Sequence, residues 1–176
     1  MQKTEMTITC HYGPAISQNR NILTNYKGFL RTKSYGGGNY FASMLFDSQC
    51  WIAWDKNKPE GVGYADVELA WTSFNLASRM FHFTWNGMLQ GNMKHKEAKI
   101  HPTQKPVALY EWLINKFANE NDIILDTHVG SASSLIACHR TRHKFVGFEI
   151  DETYYKEAKA RLDAEMAQTT IFDFLE

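Results

Sequence analysis

The chain has 176 residues, a length that suits one domain built around one hydrophobic core. Hydrophobic residues make up 44% of it, and 19 Lys and Arg balance 19 Asp and Glu, so the zero net charge gives no global sign of a nucleic-acid partner. The three cysteines are scattered, which predicts a cytoplasmic protein without a disulfide framework. The N-terminus shows no apolar signal region, and no apolar stretch approaches about 18 residues, so no membrane span is predicted.

Regular elements are predicted from residue 39 onwards, because residues 1–35 show the least periodicity. In chain order the patterns predict a helix at 39–45, strands at 50–54, 67–74 and 80–85, a helix at 107–117, a strand at 123–125, a helix at 132–139, a strand at 144–150 and a helix at 151–167. Residues 86–101 are predicted as a loop rich in Gly, Asn, Lys and His. Strand–helix–strand with short links predicts a right-handed parallel crossover, and hence an α/β fold.

The turn after the strand at 123–125 has the composition of a nucleotide-binding loop. Such a loop lies at the carboxyl end of its strand, where the next helix directs backbone N–H groups outward. Gly130 lets a ligand approach the backbone, and Glu149 follows Asp126 by 23 positions (149 − 126), near the ~20-residue spacing at which an acidic side chain meets ribose hydroxyls. The single loop glycine argues against NAD and favours a ligand without pyrophosphate. An ordinary βαβ unit with an acidic cap remains the alternative.

Six stretches carry a more specific signal. They are Gly37–Phe41, Trp51–Lys56, Glu68–Phe74, His101–Pro106, Asp126–Ser131 and Gly147–Asp151. Together they resemble the N6-adenine/N4-cytosine DNA methyltransferase family, in particular phage and prophage adenine methylases. The resemblance covers about residues 36–165, and its motif order is similar to the permuted, β-type order of that family.

This resemblance implies an α/β fold of the Rossmann-like type found in methyltransferases that use S-adenosylmethionine (AdoMet). It leaves open whether the sheet is complete at its N-terminal side. It implies one methyltransferase-like domain over residues 1–176, in which 1–35 are divergent or truncated, 79–101 face DNA and 102–167 form the AdoMet-binding half. The implied activity is methyl transfer from AdoMet to adenine N6 in duplex DNA, of the kind found in restriction-modification systems.

The resemblance also implies which residues bind the cofactor. The methionine end of AdoMet is expected to contact Asp126, Thr127, Gly130 and Ser131, and the ribose is expected to contact Glu149. The pocket is expected to be closed by Thr103, Lys105 and Pro106. A lysine suits this place because the cofactor's carboxylate needs a cation or hydrogen-bond donors.

DNA contacts are implied within residues 80–100. Lys94, Lys96 and Lys99 are expected to meet phosphates, and Trp85 is the tryptophan expected to meet DNA. A solvated loop is the alternative interpretation of this basic stretch.

The family's catalytic tetrapeptide, of the Asp-Pro-Pro-Tyr type, has no match in the chain. In the family its polar groups accept from the amine of a flipped base, and its aromatic ring stacks on that base. The one local echo, Cys10–Pro14, makes Tyr12 a candidate and leaves the catalytic residues unknown. Two alternatives follow: a degenerate module that binds AdoMet or DNA without methyl transfer, and a methyltransferase that acts on RNA or a free base.

The C-terminal stretch Gln168–Phe172 resembles the Gln-x-x-Leu-Phe peptide that docks on bacterial sliding clamps. The alternative is a final strand that packs Ile171, Phe172 and Phe174 into the sheet. No metal site is predicted, because the histidines lack nearby carboxylate or cysteine partners at ligand spacing. The recognition sequence, the choice between adenine and cytosine, and the oligomeric state are not predicted.

Overall fold

The structure is a computed structural model that describes residues 7–10 and 34–173. The chain divides into two compact units. We call residues 1–14 with 97–176 the C-terminal unit, and residues 15–96 the middle unit. Within the described ranges, no helix combines the length and apolar character needed to cross a membrane.

Short strands dominate the first half of the described chain, and helices alternate with strands in the second half. In chain order the elements are β1 (Thr7–Cys10), β2 (Ser34–Gly36), a 3₁₀ helix (Gly38–Met44), β3 (Trp51–Asp55), β4 (Val67–Thr72), β5 (Arg79–His82), β6 (Trp85–Asn86), β7 (Leu89–Gln90), α1 (Val107–Phe117), β8 (Ile123–Asp126), α2 (Ser133–Arg140), β9 (Lys144–Glu149) and α3 (Glu152–Asp173).

The C-terminal unit is built on a parallel sheet with the strand order β1-β9-β8. Helices α1, α2 and α3 supply most of its apolar core, in which Leu135, Ile136 and Leu162 are almost fully buried. Burying each such side chain stabilises the fold by about 1.5–3 kcal/mol. Strand β8, helix α2 and strand β9 confirm the predicted parallel crossover.

Gly147 in β9 allows this crossover to pack closely. A Cβ atom at this position would lie 2.6 Å from Cγ2 of Val129 and 2.8 Å from a methyl carbon of Leu135. Because real Cβ atoms do not approach that closely, any side chain here forces the side chains of Val129 and Leu135 to shift. Gly147 therefore fixes how near the loop after β8 lies to β9.

The middle unit contains a four-stranded sheet with the order β2-β4-β3-β5. Strands β2 and β3 run antiparallel to β4, and β5 runs parallel to β3. Its buried side chains include Ile52, Trp54 and Trp71. A Cβ atom on Gly38 would lie 2.7 Å from the backbone N of Trp71, so this glycine allows the 3₁₀ helix to pack against β4.

Most predicted elements form near the predicted positions, and α1 has the predicted bounds of 107–117. The predicted strand at 80–85 is divided between β5 and β6, and the predicted loop at 86–101 begins with the β6–β7 hairpin.

The interpretation of the C-terminal stretch as a final strand is wrong, because α3 continues to Asp173. Residues 152–173 contain neither Gly nor Pro to end the helix, and Ala158 and Leu162 bury one face of it. Because α3 continues to Asp173, Gln168–Phe172 belongs to its last turns, and docking on a sliding clamp stays a prediction. Phe174 lies outside the described residues.

Candidate cofactor site

The loop at residues 127–132 lies at the carboxyl end of β8, between that strand and α2. In the parallel sheet Asp126 pairs with Gly147, so the carboxyl ends of β8 and β9 lie side by side. This arrangement brings Glu149, at the end of β9, against the loop. The backbone N–H of Gly130 donates a 2.7 Å hydrogen bond to Oε2 of Glu149.

Glu149 is buried, with 8% of its surface exposed, and its carboxylate is held by the backbone. Besides Gly130, the N–H groups of Ile150 and Asp151 both donate to Oε1, at 2.9 and 3.0 Å. A carboxylate offers about four lone-pair positions, so three are used and one on Oε2 remains. That position fits one hydroxyl of a ribose; a second hydroxyl requires one of the three backbone donors to be displaced.

Asp126 fixes the other end of the loop. Its Oδ1 accepts from the backbone N–H of His128 at 2.9 Å, and Ser134 Oγ on α2 donates to its Oδ2. Burial, together with the negative charge of Asp126, raises the pKa of the Cys138 thiol to about 12. Cys138 is therefore a neutral core residue rather than a nucleophile.

The loop turns through two left-handed backbone positions, Gly130 (φ 54°) and Ala132 (φ 61°). Glycine adopts this conformation without strain, whereas Ala132 has a side chain and is completely buried. Ala132 is the residue that precedes α2 and provides no side-chain cap, and the first N–H groups of a helix have no partner within the helix. Such N–H groups favour a negatively charged ligand group.

Arg161 on α3 binds both the loop and Glu97, and we call this set of contacts the clamp. One guanidinium nitrogen, Nη1, donates to the carbonyl oxygen of Ser131 at 2.7 Å and to Oγ of Ser133 at 2.9 Å. The other, Nη2, donates to Oε2 of Glu97 at 2.6 Å, and Oε1 of Glu97 accepts from the N–H of Val107 at the start of α1. Burial lowers the pKa of Arg161, while the charge of Glu97 opposes this shift.

This clamp connects α1, α3 and the loop, and no sequence motif identified it. The one available signal was Glu97, the single acidic residue within the basic stretch.

His101 packs against Gly130 on the face where a side chain at that position would lie. A Cβ atom on Gly130 would lie 3.5 Å from the imidazole, and the ring of Tyr154 meets that imidazole edge-on with centroids 4.3 Å apart. Nδ1 of His101 lies 3.1 Å from Oγ1 of Thr103 and also accepts from the Thr103 N–H. His101 therefore joins the candidate site, although the sequence indicated it only as part of a motif.

The remaining residues of this motif support the start of α1. Gln104 is buried and spans a turn, since it accepts from the N–H of Ile100 and donates to the carbonyl of Ala98. Pro106 is buried immediately before α1, and Lys105 is half-buried beside it. The structure thus brings Gly130, Ser131 and Glu149 together with the neighbourhood of Thr103, while the roles of Lys105 and Pro106 at a ligand stay predictions.

The residues predicted to meet DNA fall in both units. Trp85 is half-buried in β6, and Lys94 and Lys96 are exposed in the middle unit, whereas Lys99 is exposed in the C-terminal unit. Tyr12 lies outside the described residues. Among residues 7–10 and 34–173, no group of three His, Cys, Asp or Glu side chains is placed to hold a metal ion.

Comparison with known proteins gives one family and a set of partial relatives. A family model for N6/N4 methyltransferases, described as DNA methylase, matches residues 32–160. Over 71 residues, 40% of this chain and 23% of the relative, the chain is 45% identical to the type II methyltransferase M.HpaI of Haemophilus parainfluenzae. Over 67 residues, 38% of this chain and 23% of the relative, it is 40% identical to the DNA adenine methyltransferase YhdJ of Escherichia coli K12.

The chain spans between 23% and 39% of the length of three curated relatives that it matches. Among solved structures, the chain is similar to M1.HpyAVI in its complex with SAM, which is AdoMet. The TM-score is 0.60 with 24% identity over 81% of each chain. At this identity the likeness shows a shared fold, and it confirms the expected Rossmann-like methyltransferase fold.

Proposed function

We propose that this chain, which belongs to the N6/N4 DNA methylase family as its motifs predicted, is an AdoMet-dependent methyltransferase that modifies adenine N6 in duplex DNA. The observation that carries the proposal is the contact between Gly130 and Glu149 at the adjoining ends of β8 and β9. This contact brings the acceptor carboxylate at the end of β9 next to the glycine of the loop that leads into α2. The name of the relative YhdJ, a DNA adenine methyltransferase, supports adenine as the acceptor base.

The residues at the adjoining ends of β8 and β9 fit AdoMet in three respects. Glu149 retains one acceptor position for a ribose hydroxyl, and the start of α2 offers N–H donors to the cofactor's carboxylate. Gly130 has no side chain to hold a ligand away from the backbone. AdoMet, when bound, supplies a methyl group on a positively charged sulfur that a nitrogen lone pair can attack.

The chain's own residues then act by positioning. Arg161 and Glu97 hold the loop between α1 and α3, so the acceptor and donor groups are fixed before a ligand arrives. Positioning of this kind supplies much of the rate enhancement when two reactants must meet in one geometry. The exposed Lys94 and Lys96 are suited to phosphate contacts.

Transfer of a tritiated methyl group from AdoMet to mixed-sequence duplex DNA tests the proposal. We expect label in the DNA, in N6-methyladenine after digestion to nucleosides, and none in RNA or free adenine. Single-stranded RNA and adenine serve as alternative acceptors in parallel reactions. Label that appears in RNA or in adenine, and not in duplex DNA, contradicts the proposed substrate.

The degenerate alternative gives a different pair of results. A module that binds without chemistry shows saturable AdoMet binding by calorimetry and no label in any acceptor. The relatives M.HpaI and YhdJ, which are both named as methyltransferases, lend this alternative no specific support. Binding without transfer by the wild-type chain overturns the proposed activity while retaining the cofactor site.

A further inference from the structure

An apolar hairpin stands out on the surface of the middle unit. Strands β6 and β7 pair antiparallel, with Trp85 opposite Gln90 and Asn86 opposite Leu89, so Gly87 and Met88 form a two-residue turn. Gly87 has a φ of 57°, the positive value that such a turn requires at its first position. The tip is apolar: Met88 is 80% exposed and Leu89 is 48% exposed.

The base of this hairpin is held by hydrogen bonds and packing. Asn86 is buried, and its amide nitrogen donates to the carbonyl oxygens of Lys56 and Asn57 at 3.0 and 3.1 Å. Its Oδ1 accepts from the hydroxyl of Tyr64 at 3.0 Å. A Cβ atom on Gly91 would lie 2.6 Å from the ring of Phe83, so the chain leaves the hairpin packed flat against that ring. The exposed tip therefore projects from a fixed support.

Basic residues follow the hairpin directly. Lys94, His95 and Lys96 are all exposed, and Met93 before them is 52% exposed. Residues 84–96 contain no Asp or Glu. The surface thus combines an apolar tip with positive charge, which complements a partner that has a phosphate backbone outside and stacked apolar rings inside.

We propose that the β6–β7 hairpin is a wedge that inserts Met88 and Leu89 between base pairs of duplex DNA, while Lys94 and Lys96 hold the flanking phosphates. Apolar side chains such as Met and Leu unstack base steps in this way in proteins that kink DNA. Unstacking next to a target base also lowers the cost of extruding that base. The inference rests on the proposed function, because it takes duplex DNA as the partner of this surface.

Binding to two fluorescein-labelled duplexes of about 30 base pairs tests the wedge, one fully paired and one with a single central mismatch. A mismatched step is easier to unstack, so we expect the wild-type chain to bind the mismatched duplex more tightly. The variant Met88→Ser/Leu89→Ser should bind roughly tenfold more weakly and lose the preference for the mismatch, with its salt dependence unchanged.

Two further variants separate the contributions. Lys94→Ala/Lys96→Ala should weaken binding to both duplexes equally, keep the mismatch preference, and reduce the slope of log K against log salt by about 2. Met44→Ser/Leu76→Ser removes two exposed apolar side chains elsewhere in the middle unit and should behave as wild type. Circular dichroism of each variant confirms that the fold is retained.

The variant with both tip residues replaced is the direct test of the wedge. If Met88→Ser/Leu89→Ser binds both duplexes as the wild type does, the proposal is overturned, and a change only in oligomeric state would instead assign the tip to a second copy of the chain. Failure of wild-type methyl transfer bears on the proposed function alone, because the mismatch comparison needs only DNA binding. Absence of wild-type binding to either duplex overturns the wedge as well.

Discussion

The Oε2 atom of Glu149 lies 2.7 Å from the backbone nitrogen of Gly130, and this hydrogen bond joins the end of β9 to the loop after β8. Glu149 is therefore both the predicted ribose acceptor and a structural support of the glycine loop. Its other two contacts support the start of α3 as well, since Oε1 accepts from the N–H groups of Ile150 and Asp151, which lead into that helix.

Replacement of Glu149 by Gln should destabilise the fold as well as the site. An amide keeps one oxygen but turns an NH₂ donor towards backbone N–H groups, so at least one buried donor loses its acceptor. We expect a loss of about 1–3 kcal/mol in the free energy of unfolding, measured with urea. The exposed Glu152 on α3 provides a control, for which Glu152→Gln should change stability by less than about 0.5 kcal/mol. Equal stability of Glu149→Gln and wild type contradicts the support role.

Ala132 should tolerate glycine and reject valine. Valine is β-branched, and at a buried position with φ 61° it meets both backbone strain and crowding, so Ala132→Val should lose at least about 2 kcal/mol. Ala132→Gly relieves about 1 kcal/mol of strain but removes a buried methyl group that contributes about 0.8 kcal/mol, so the two changes nearly offset. Urea unfolding of both variants tests the contrast, and a valine variant as stable as wild type would show that the turn is not left-handed.

Arg161 and Glu97 should be energetically coupled. Arg161 uses Nη1 for Ser131 and Ser133 and Nη2 for Glu97, and the single ammonium nitrogen of a lysine cannot occupy both positions. Arg161→Lys should therefore destabilise the chain by about 1–3 kcal/mol and weaken AdoMet binding. A double-mutant cycle with Glu97→Gln should give a coupling of about 1–3 kcal/mol.

The exposed pair Lys159–Asp163 serves as the comparison for this cycle, because its coupling should stay below about 0.5 kcal/mol. If the cycle at Arg161 and Glu97 gives no more than this surface pair does, the loop is not held by the clamp.

Glu165 should contribute to the loss of stability in acid. The side-chain hydrogen bond from Arg140, 2.6 Å long, lowers the pKa of Glu165 below its usual 4.5, and burial only partly opposes this. Its stabilising contribution is therefore complete above the unfolded-state pKa and is lost as the pH falls through the lower folded-state pKa.

Unfolding free energies measured between about pH 6 and pH 3 test this. The variant Glu165→Gln should be less stable than wild type at the upper end of this range, and the difference should shrink as the pH falls. A difference that is constant with pH would assign the contribution to packing rather than to charge.

The sequence predicted the parts of the fold that depend on local pattern. The apolar runs of β8 and β9 with a short helix between them predicted the parallel crossover. That rule also placed Asp126 and Glu149 at one edge of the sheet, where the structure has them. The length of α3 was underestimated, since nothing in the pattern around Ala167 marks a helix end and the helix continues without Gly or Pro.

Long-range partners could not be predicted in the same way. Glu97 and Arg161 are 64 positions apart, and no periodicity or spacing rule pairs an acid in a loop with a base on a helix at that distance. The donors that reach Glu149 are backbone N–H groups, which every residue but proline has, so the sequence does not show which of them will lie close. The left-handed conformation of Ala132 is likewise set by the packing of α2, since alanine itself disfavours it.

Calorimetric titration of the wild-type chain and of Glu149→Ala with AdoMet tests the cofactor site most directly, with circular dichroism to confirm that both proteins are folded. We expect saturable binding of one AdoMet per chain, and a loss of affinity of roughly tenfold or more in the variant, because removing the carboxylate leaves the ribose and the Gly130 N–H without their acceptor. Unchanged affinity in a folded Glu149→Ala variant, or no binding by the wild-type chain, would contradict the assignment of the AdoMet site to this loop.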